Sequence, residues 1–449
     1  MQLKAGEATK MNMPFKDRIR VWLSPNKIHK LKLTNSVCVL LSALFKILFG
    51  RLACSEQTQR LEEAFKNRFK TKNAVIFPHA RTALHFILKS LRLEEGDEVL
   101  MTPLTIADMV NSIHTAGLRP VFVDIELDTF SFDIEQLRKS VTPRSKVILV
   151  TYIFGIVPDM EKIQQIALEN NLKIIEDASQ CFDASYKGRT IGTFGEAAFF
   201  SLTNFKICSS LFGGMVITNN EDVANKLEIF KEKYLFPPKS SVLLNLVIKD
   251  LIYSVFFSKY IFSYFTYFVI YVLEKISPMV TYRLYSGNVK VILGLKGNEL
   301  LSEFPQDYLL DYTDIQATVG LHSLAKAGRR TTARIKNGDL LRELLKGVPD
   351  IKIPVKLQGT VNVYWRFPII SEDMEGLKKF LLDYGIDSAP TYLSLCSKEK
   401  GFEAYHRALP NAEKLKEGVL VVEVNEDLRE KDIYFTASLV QRYFKRGAE

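Results

Sequence analysis

A lysine, a carboxylate and several small hydroxyl residues stand in a fixed order in the middle of this 449-residue chain. Glu176-Asp177-Ala178-Ser179-Gln180 comes first, then Ser201-Leu202-Thr203-Asn204-Phe205-Lys206, then Gly213-Gly214. A lysine amine can condense with an aldehyde to a Schiff base. A carboxylate can keep a ring nitrogen protonated, so that the ring acts as an electron sink. A serine hydroxyl can donate to a phosphate. Pyridoxal 5′-phosphate (PLP) makes all three demands of its protein. Lys206, Asp177 and Ser201 can meet them in turn. Taken singly, each has an ordinary reading: a surface lysine, a strand-end cap, a buried hydroxyl. Order and spacing together carry the case.

The elements around these residues fit that chemistry. Seven short apolar runs, rich in Val, Ile and Phe, lie at Asn73–Phe77, Glu98–Thr102, Pro120–Asp124, Lys146–Thr151, Leu172–Glu176, Ala197–Ser201 and Gly214–Thr218. They are too continuous for a half-exposed sheet and read as strands buried on both faces. Helical patterns such as Thr82–Leu91 and Met160–Asn170 fall between them. Such alternation predicts an α/β domain with a mostly parallel sheet. Open sheets of this kind collect their functional groups at the carboxyl ends of the strands, where Asp177, Ser201 and Lys206 fall. Thr82 opens a helical pattern, as an N-cap whose amides could also hold phosphate. Arg81 beside it is a surface charge or a phosphate ligand.

A second, smaller α+β unit begins near Thr313. Asp314–Leu345 reads as one or two helices, Val361–Ile370 as a strand, Met374–Tyr384 as a helix, Gly418–Val424 as a strand and Glu430–Phe444 as a final helix. Two apolar stretches belong to neither unit. Val37–Phe49 is about half the length needed to span a bilayer. Leu251–Leu273 is long enough, and Lys259 is its only charge. The expected organisation is a basic arm and apolar segment over 1–54, a large α/β domain over 55–235, an apolar insert over 236–300 and a small domain over 301–449. Packing in a subunit interface and insertion at a membrane surface both fit the insert.

Composition narrows the function classes. Hydrophobic residues make up 47% and charged residues 25%, which is the balance of a folded protein with a large core. The net charge is +9. Residues 1–33 hold Lys4, Lys10, Lys16, Arg18, Arg20, Lys27, Lys30 and Lys32 against Glu7 and Asp17, a net +6. The nearly neutral remainder argues against a long nucleic-acid groove. Cys38, Cys54, Cys181, Cys208 and Cys396 are odd in number and widely spaced, so neither a disulfide framework nor a metal site is indicated. A reducing, cytoplasmic setting is expected, and the N-terminus lacks the pattern of a cleavable signal.

With these motifs in order, the chain resembles the DegT/DnrJ/StrS family of sugar aminotransferases, which have the aspartate-aminotransferase-like fold (fold type I). Glu176 to Gln180 match the family's E-D-A-A-Q, Ser201 to Lys206 its lysine motif, and Gly213-Gly214 the glycines that follow. Asp97-Glu98-Val99, Pro120 to Asp124, Gly155-x-x-Pro158-Asp159-Met160 and Tyr384-Gly385-Ile386 also look like family landmarks. The resemblance implies that Lys206 binds PLP and carries protons, that Asp177 faces the pyridine nitrogen, and that Gln180 sits beside the ring. It implies an amino donor such as glutamate, a keto-sugar acceptor on a nucleotide or a lipid, and a homodimer. The sequence departs from the family at Arg81, which replaces a phosphate-loop glycine. Ile106 stands where an aromatic ring stacks on the cofactor, and Thr203 where the lysine motif has His. Leu309 aligns with an Asn lent by the partner subunit. Tyr392 falls where the family's small domain faces substrate, although a core role is the plainer reading. Two alternatives stand beside transamination: PLP-dependent elimination on a sugar, and a degenerate membrane-associated scaffold.

Overall fold

The structure, a computed structural model, describes residues 19, 21–30, 32–50, 55–277 and 299–445. Cys54 and the arm residues Lys4, Lys10, Lys16, Arg18 and Arg20 lie outside the described residues. The large domain is built on a seven-stranded sheet. Its strands are β1 (Asn73–Phe77), β2 (Glu98–Met101), β3 (Arg119–Phe122), β4 (Ser145–Thr151), β5 (Lys173–Asp177), β6 (Ala197–Ser201) and β7 (Gly214–Thr218). Their order is β1-β7-β6-β5-β4-β2-β3. From β6 to β3 all pairs are parallel, while β7 runs antiparallel to both β1 and β6. The apolar runs foresaw each strand to within two residues. They did so because nearly every strand residue is buried, which leaves period and length as clean signals.

Ahead of the sheet lies helix α1 (Val37–Phe49), and helix α2 (Ala80–Ser90) follows β1. Helix α2 starts two residues earlier than expected, with His79 rather than Thr82 at the N-cap position and no side-chain capping bond. Gly214 explains how α2 meets the sheet so closely. A Cβ on Gly214 would lie 2.3 Å from the carbonyl carbon and oxygen of His79 and 2.5 Å from Ala80 N.

The apolar insert does not form one straight helix. Helix α3 (Ser240–Phe256) and helix α4 (Lys259–Ile276) meet at a 59° bend. No single described helix is long and apolar enough to cross a membrane, whereas this bent pair is, taken together. Leu40 and Ala43 of α1 pack on Val247 of α3 over Leu211, Ile315 and Val319.

Helix α5 (Asp314–Leu345) is a single 32-residue helix opened by a capping box between Thr313 and Gln316. It leads to helix α6 (Met374–Asp383) and helix α7 (Glu430–Lys445), which close the small domain with a three-stranded antiparallel sheet. The expected strand over Val361–Ile370 is two short strands, Thr360–Val361 and Phe367–Ile370. Between them the chain turns to the large domain instead. Val363 N donates to Gly155 O at 3.1 Å and Trp365 N to Phe154 O at 2.9 Å. Ahead of α1, the N-terminal chain crosses the small domain as a strap, with Ile28 bridged in parallel to Ile386.

Candidate active site

The ends of β4, β5 and β6 open into a cavity walled by Thr151, Asp177, Gln180, Ser201 and Lys206 from the large domain. Trp365, Arg366 and Tyr392 close it from the small domain. Asp177 is the last residue of β5, and its Oδ1 accepts from Ser179 N at 3.0 Å. Burial pushes its carboxyl above the ordinary range. Glu176, next to it, faces away from the cavity and has a purely structural task. It accepts from Tyr152 Oη at 2.6 Å and from the amides of Gly192, Phe194 and Gly195 at 2.6–2.9 Å. Alternation along a strand sends these neighbours to opposite faces, and so gives two adjacent carboxylates unrelated roles.

Lys206 sits in the loop after β6. Its ammonium lies 4.6 Å from the centre of the Trp365 ring. Burial lowers its pKa to about 8; Asp177 acts against that shift and Arg366 with it. The site therefore holds a lysine whose amine is far more available than that of an exposed one. Ser201 Oγ lies 3.3 Å from Thr203 Oγ1 at the same cavity wall. Gln180 both lines the cavity and accepts from Phe154 N at 2.8 Å, which ties the β5 loop to the turn after β4.

The phosphate side is more committed than the sequence suggests. His79, Ala80 and Arg81 line the cavity, so the first turn of α2 points its amides there. Arg81, however, is paired with Asp108, both almost fully buried, and its guanidinium lies 4.0 Å from the centre of the Tyr308 ring. Tyr308 Oη donates to the same carboxylate at 2.9 Å. Thr82 does not line the cavity. It is fully buried, and its hydroxyl donates to Tyr308 O at 2.8 Å. Ile106 lines the wall in the position read as an aliphatic replacement for a stacking ring. Leu309 lies outside the cavity, in a short turn whose carbonyl accepts from Phe236 N at 2.8 Å.

Trp365, Arg366 and His79 are among the cavity residues that were not foreseen. Trp365 and Arg366 lie in the stretch read as strand interior, and His79 lies three residues before the helical pattern that began at Thr82. The broken strand turns Trp365 inward, where its indole donates to Phe205 O at 2.7 Å. Arg366 pairs with Glu423 at 3.0 Å and donates to Lys30 O at 2.6 Å. No local pattern marks a residue whose role depends on where a second domain folds back. Burial and Arg81 hold His79 well below the ordinary histidine range, so it is neutral.

This donor set fits PLP. A poised amine and a buried carboxylate stand at neighbouring strand ends. A helix N-terminus whose approach depends on a glycine stands across the cavity. Lys206 would hold the cofactor covalently, Asp177 would face its ring nitrogen, and the α2 amides with Ser201 would take its phosphate.

Comparison with known proteins points the same way. Residues 48–235 and 308–440 match the sequence profile described as the DegT/DnrJ/EryC1/StrS aminotransferase family. A protein of Methanocaldococcus jannaschii, itself uncharacterised, is 27% identical over 86% of this chain and 89% of its own length. A GDP-perosamine synthase from Caulobacter vibrioides is 35% identical, over 39% of this chain and 47% of the synthase. The chain thus matches about half the length of that named relative. In structure it resembles a sugar aminotransferase from Micromonospora echinospora (TM-score 0.71, 18% identity, 92% of this chain and 99% of the other). It also resembles an aminotransferase from Psychrobacter cryohalolentis (TM-score 0.71, 20% identity, 92% and 98%).

Proposed function

The chain belongs to the DegT/DnrJ/EryC1/StrS aminotransferase family, and we propose that it is a PLP-dependent enzyme that moves an amino group from a donor such as glutamate to a keto-sugar carried on a nucleotide or a lipid. The observation that carries this reading is Lys206, a half-buried lysine whose desolvated amine has its pKa lowered to about 8, in one cavity with Asp177 at the adjoining strand end. PLP, when bound, supplies the electron sink. The chain's own residues do the rest. Asp177 would keep a proton on the ring nitrogen, and the Lys206 amine would take and return the proton at the substrate α-carbon. Trp365 and Tyr392 narrow the cavity against water from the small-domain side.

We place the enzyme, as a homodimer, on the cytoplasmic face of a membrane. Helices α1, α3 and α4 each leave apolar side chains at the surface, including Phe45, Phe49, Tyr264, Phe265 and Phe268 at 50% exposure or more. Their exposed charges are all basic: Lys46, Lys249, Lys259 and Lys275. Their acids, Asp250 and Glu274, are both buried. Such a surface matches anionic headgroups better than it matches a copy of itself.

The reaction is tested on purified protein loaded with PLP, fixed with borohydride and mapped. The adduct is expected on Lys206, to vanish in Lys206→Ala, and to persist in Asp177→Asn while turnover is largely lost. An adduct on another lysine removes the assignment.

A further inference from the structure

The loop that carries Lys206 is held from outside the sheet. Thr34 N reaches Asn204 O at 3.3 Å, and Thr34 Oγ1 reaches Lys206 O at 2.6 Å. The Trp365 indole takes Phe205 O, so three successive carbonyls are met by the N-terminal strap and the small domain. A fourth contact is made by side chains alone. Asn204 Nδ2 donates to Asp250 Oδ1 of α3.

Asp250 is an unusual residue for its surroundings. It is 2% exposed and is the one acid of a helix that is mostly apolar. Glu274, the other buried acid of the insert, is paired with Lys378. Among the described residues no cation pairs with Asp250, and its main polar contact is Asn204. An unpaired buried carboxylate costs several kcal/mol. Burial accordingly pushes the Asp250 pKa up to about 7. Asn204 Oδ1 is itself buried with no hydrogen-bond partner. A protonated Asp250 resolves both: its hydroxyl can donate to Asn204 Oδ1 while its other oxygen accepts from Nδ2. Membrane docking gives no reason for an acid on the inner side of α3. Contact with the lysine loop does.

We propose that Asp250 is a positioning residue for Lys206: joined to Asn204, it ties helix α3 to the lysine loop and fixes where the amine stands against Trp365 and Asp177. This rests on Lys206 being the PLP-binding lysine. The insert is then part of the active site's framework as well as a surface. Thr34, another of the loop's holders, lies three residues before α1, which packs on α3.

The test uses full-length protein loaded with PLP. Asp250→Asn keeps an acceptor for Asn204 Nδ2 and supplies a donor to Asn204 Oδ1. It is expected to match the parent. Asp250→Val removes the link. It should move the pH midpoint of the visible absorption of lysine-bound PLP by roughly half a unit or more. It should also speed hydrogen exchange of residues 201–210 about tenfold, with α5 unchanged. Should Asp250→Val fail to fold, the double variant Asn204→Leu/Asp250→Leu removes both polar groups together, a change that burial tolerates. The same shifts are expected of it. An unchanged midpoint and unchanged exchange in the link-free variant overturn the proposal, as does an Asp250→Asn variant as altered as Asp250→Val. Borohydride mapping of the parent is run alongside. An adduct away from Lys206 overturns the underlying assignment and the proposal with it, and is told apart by the mapping.

Discussion

Burial makes Lys206 reactive. An ordinary lysine near 10.5 is almost wholly protonated at neutral pH, and one at about 8 presents roughly two orders of magnitude more neutral amine. Only the neutral form attacks the PLP aldehyde. Capture of PLP by cofactor-free protein should therefore accelerate as pH rises toward about 8 and level off above it, followed by the growth of visible absorption. A rate still climbing tenfold per unit beyond pH 9 would mean an exposed, ordinary lysine. Arg81 illustrates the opposite lesson. Its spacing suggests a phosphate ligand, yet its guanidinium is engaged by Asp108 and Tyr308. Removing one partner of a buried ion pair costs about 3–5 kcal/mol. Arg81→Gly should accordingly lower the denaturation midpoint strongly, with loss of PLP affinity as a secondary effect. A variant as stable as the parent but weak in PLP binding would restore the phosphate role.

Among the elements, the approach of α2 to the sheet depends on one missing side chain. A methyl group at Gly214 would meet the His79 peptide at 2.3 Å, closer than any real contact. Backbone cannot rotate aside as a flexible side chain does, so Gly214→Ala must push the start of α2 away. Charged hydrogen bonds to phosphate contribute on the order of 1.5–3 kcal/mol, so PLP affinity should fall roughly tenfold to a hundredfold. Equilibrium dialysis measures this; unchanged affinity would show that the α2 amides do not hold the phosphate. The small-domain strand behaves differently. Val361–Ile370 has the composition of one strand, but residues between Val361 and Phe367 find backbone partners at Phe154 and Gly155. Tertiary pairing overrides local propensity there, and the interruption delivers Trp365 to the lysine.

For the whole molecule the question is what covers the apolar faces of α1, α3 and α4. The described lysines of the basic arm are engaged within the chain. Lys27 donates to Trp22 O and Ser24 O, Lys30 pairs with Asp387 at 3.0 Å, and Lys32 pairs with Asp427. On the proposed membrane face, Lys46, Lys249 and Lys259 are exposed and would add salt-sensitive attraction to lipid. The protein should sediment with anionic vesicles at low salt, partly survive a high-salt wash and be released by detergent. Phe265→Asp/Phe268→Asp changes two exposed rings and should leave the fold and PLP binding intact. Each lost ring removes up to about 1.5–3 kcal/mol of burial in lipid, so vesicle affinity should fall at least tenfold. If the pair of substitutions instead changes the oligomeric state and leaves vesicle binding alone, the faces belong to a subunit interface.

The seven buried strands, their alternation with helices and the order Asp177, Ser201, Lys206, Gly214 are all legible in the sequence. Each rests on short-range information: continuous apolar runs mark doubly buried strands, and strand ends in such a sheet carry the chemistry. What the tertiary structure alone decided is where side chains meet across long separations. It paired Arg81 with Asp108, turned Thr82 away from the cavity, folded Trp365 and Arg366 over Lys206, bent the insert at Phe257 and set Asp250 against Asn204. Hydrophobic periodicity tells which face of an element is buried. The identity of the partner on that face depends on chain closure over tens to hundreds of residues, and no local pattern encodes that closure.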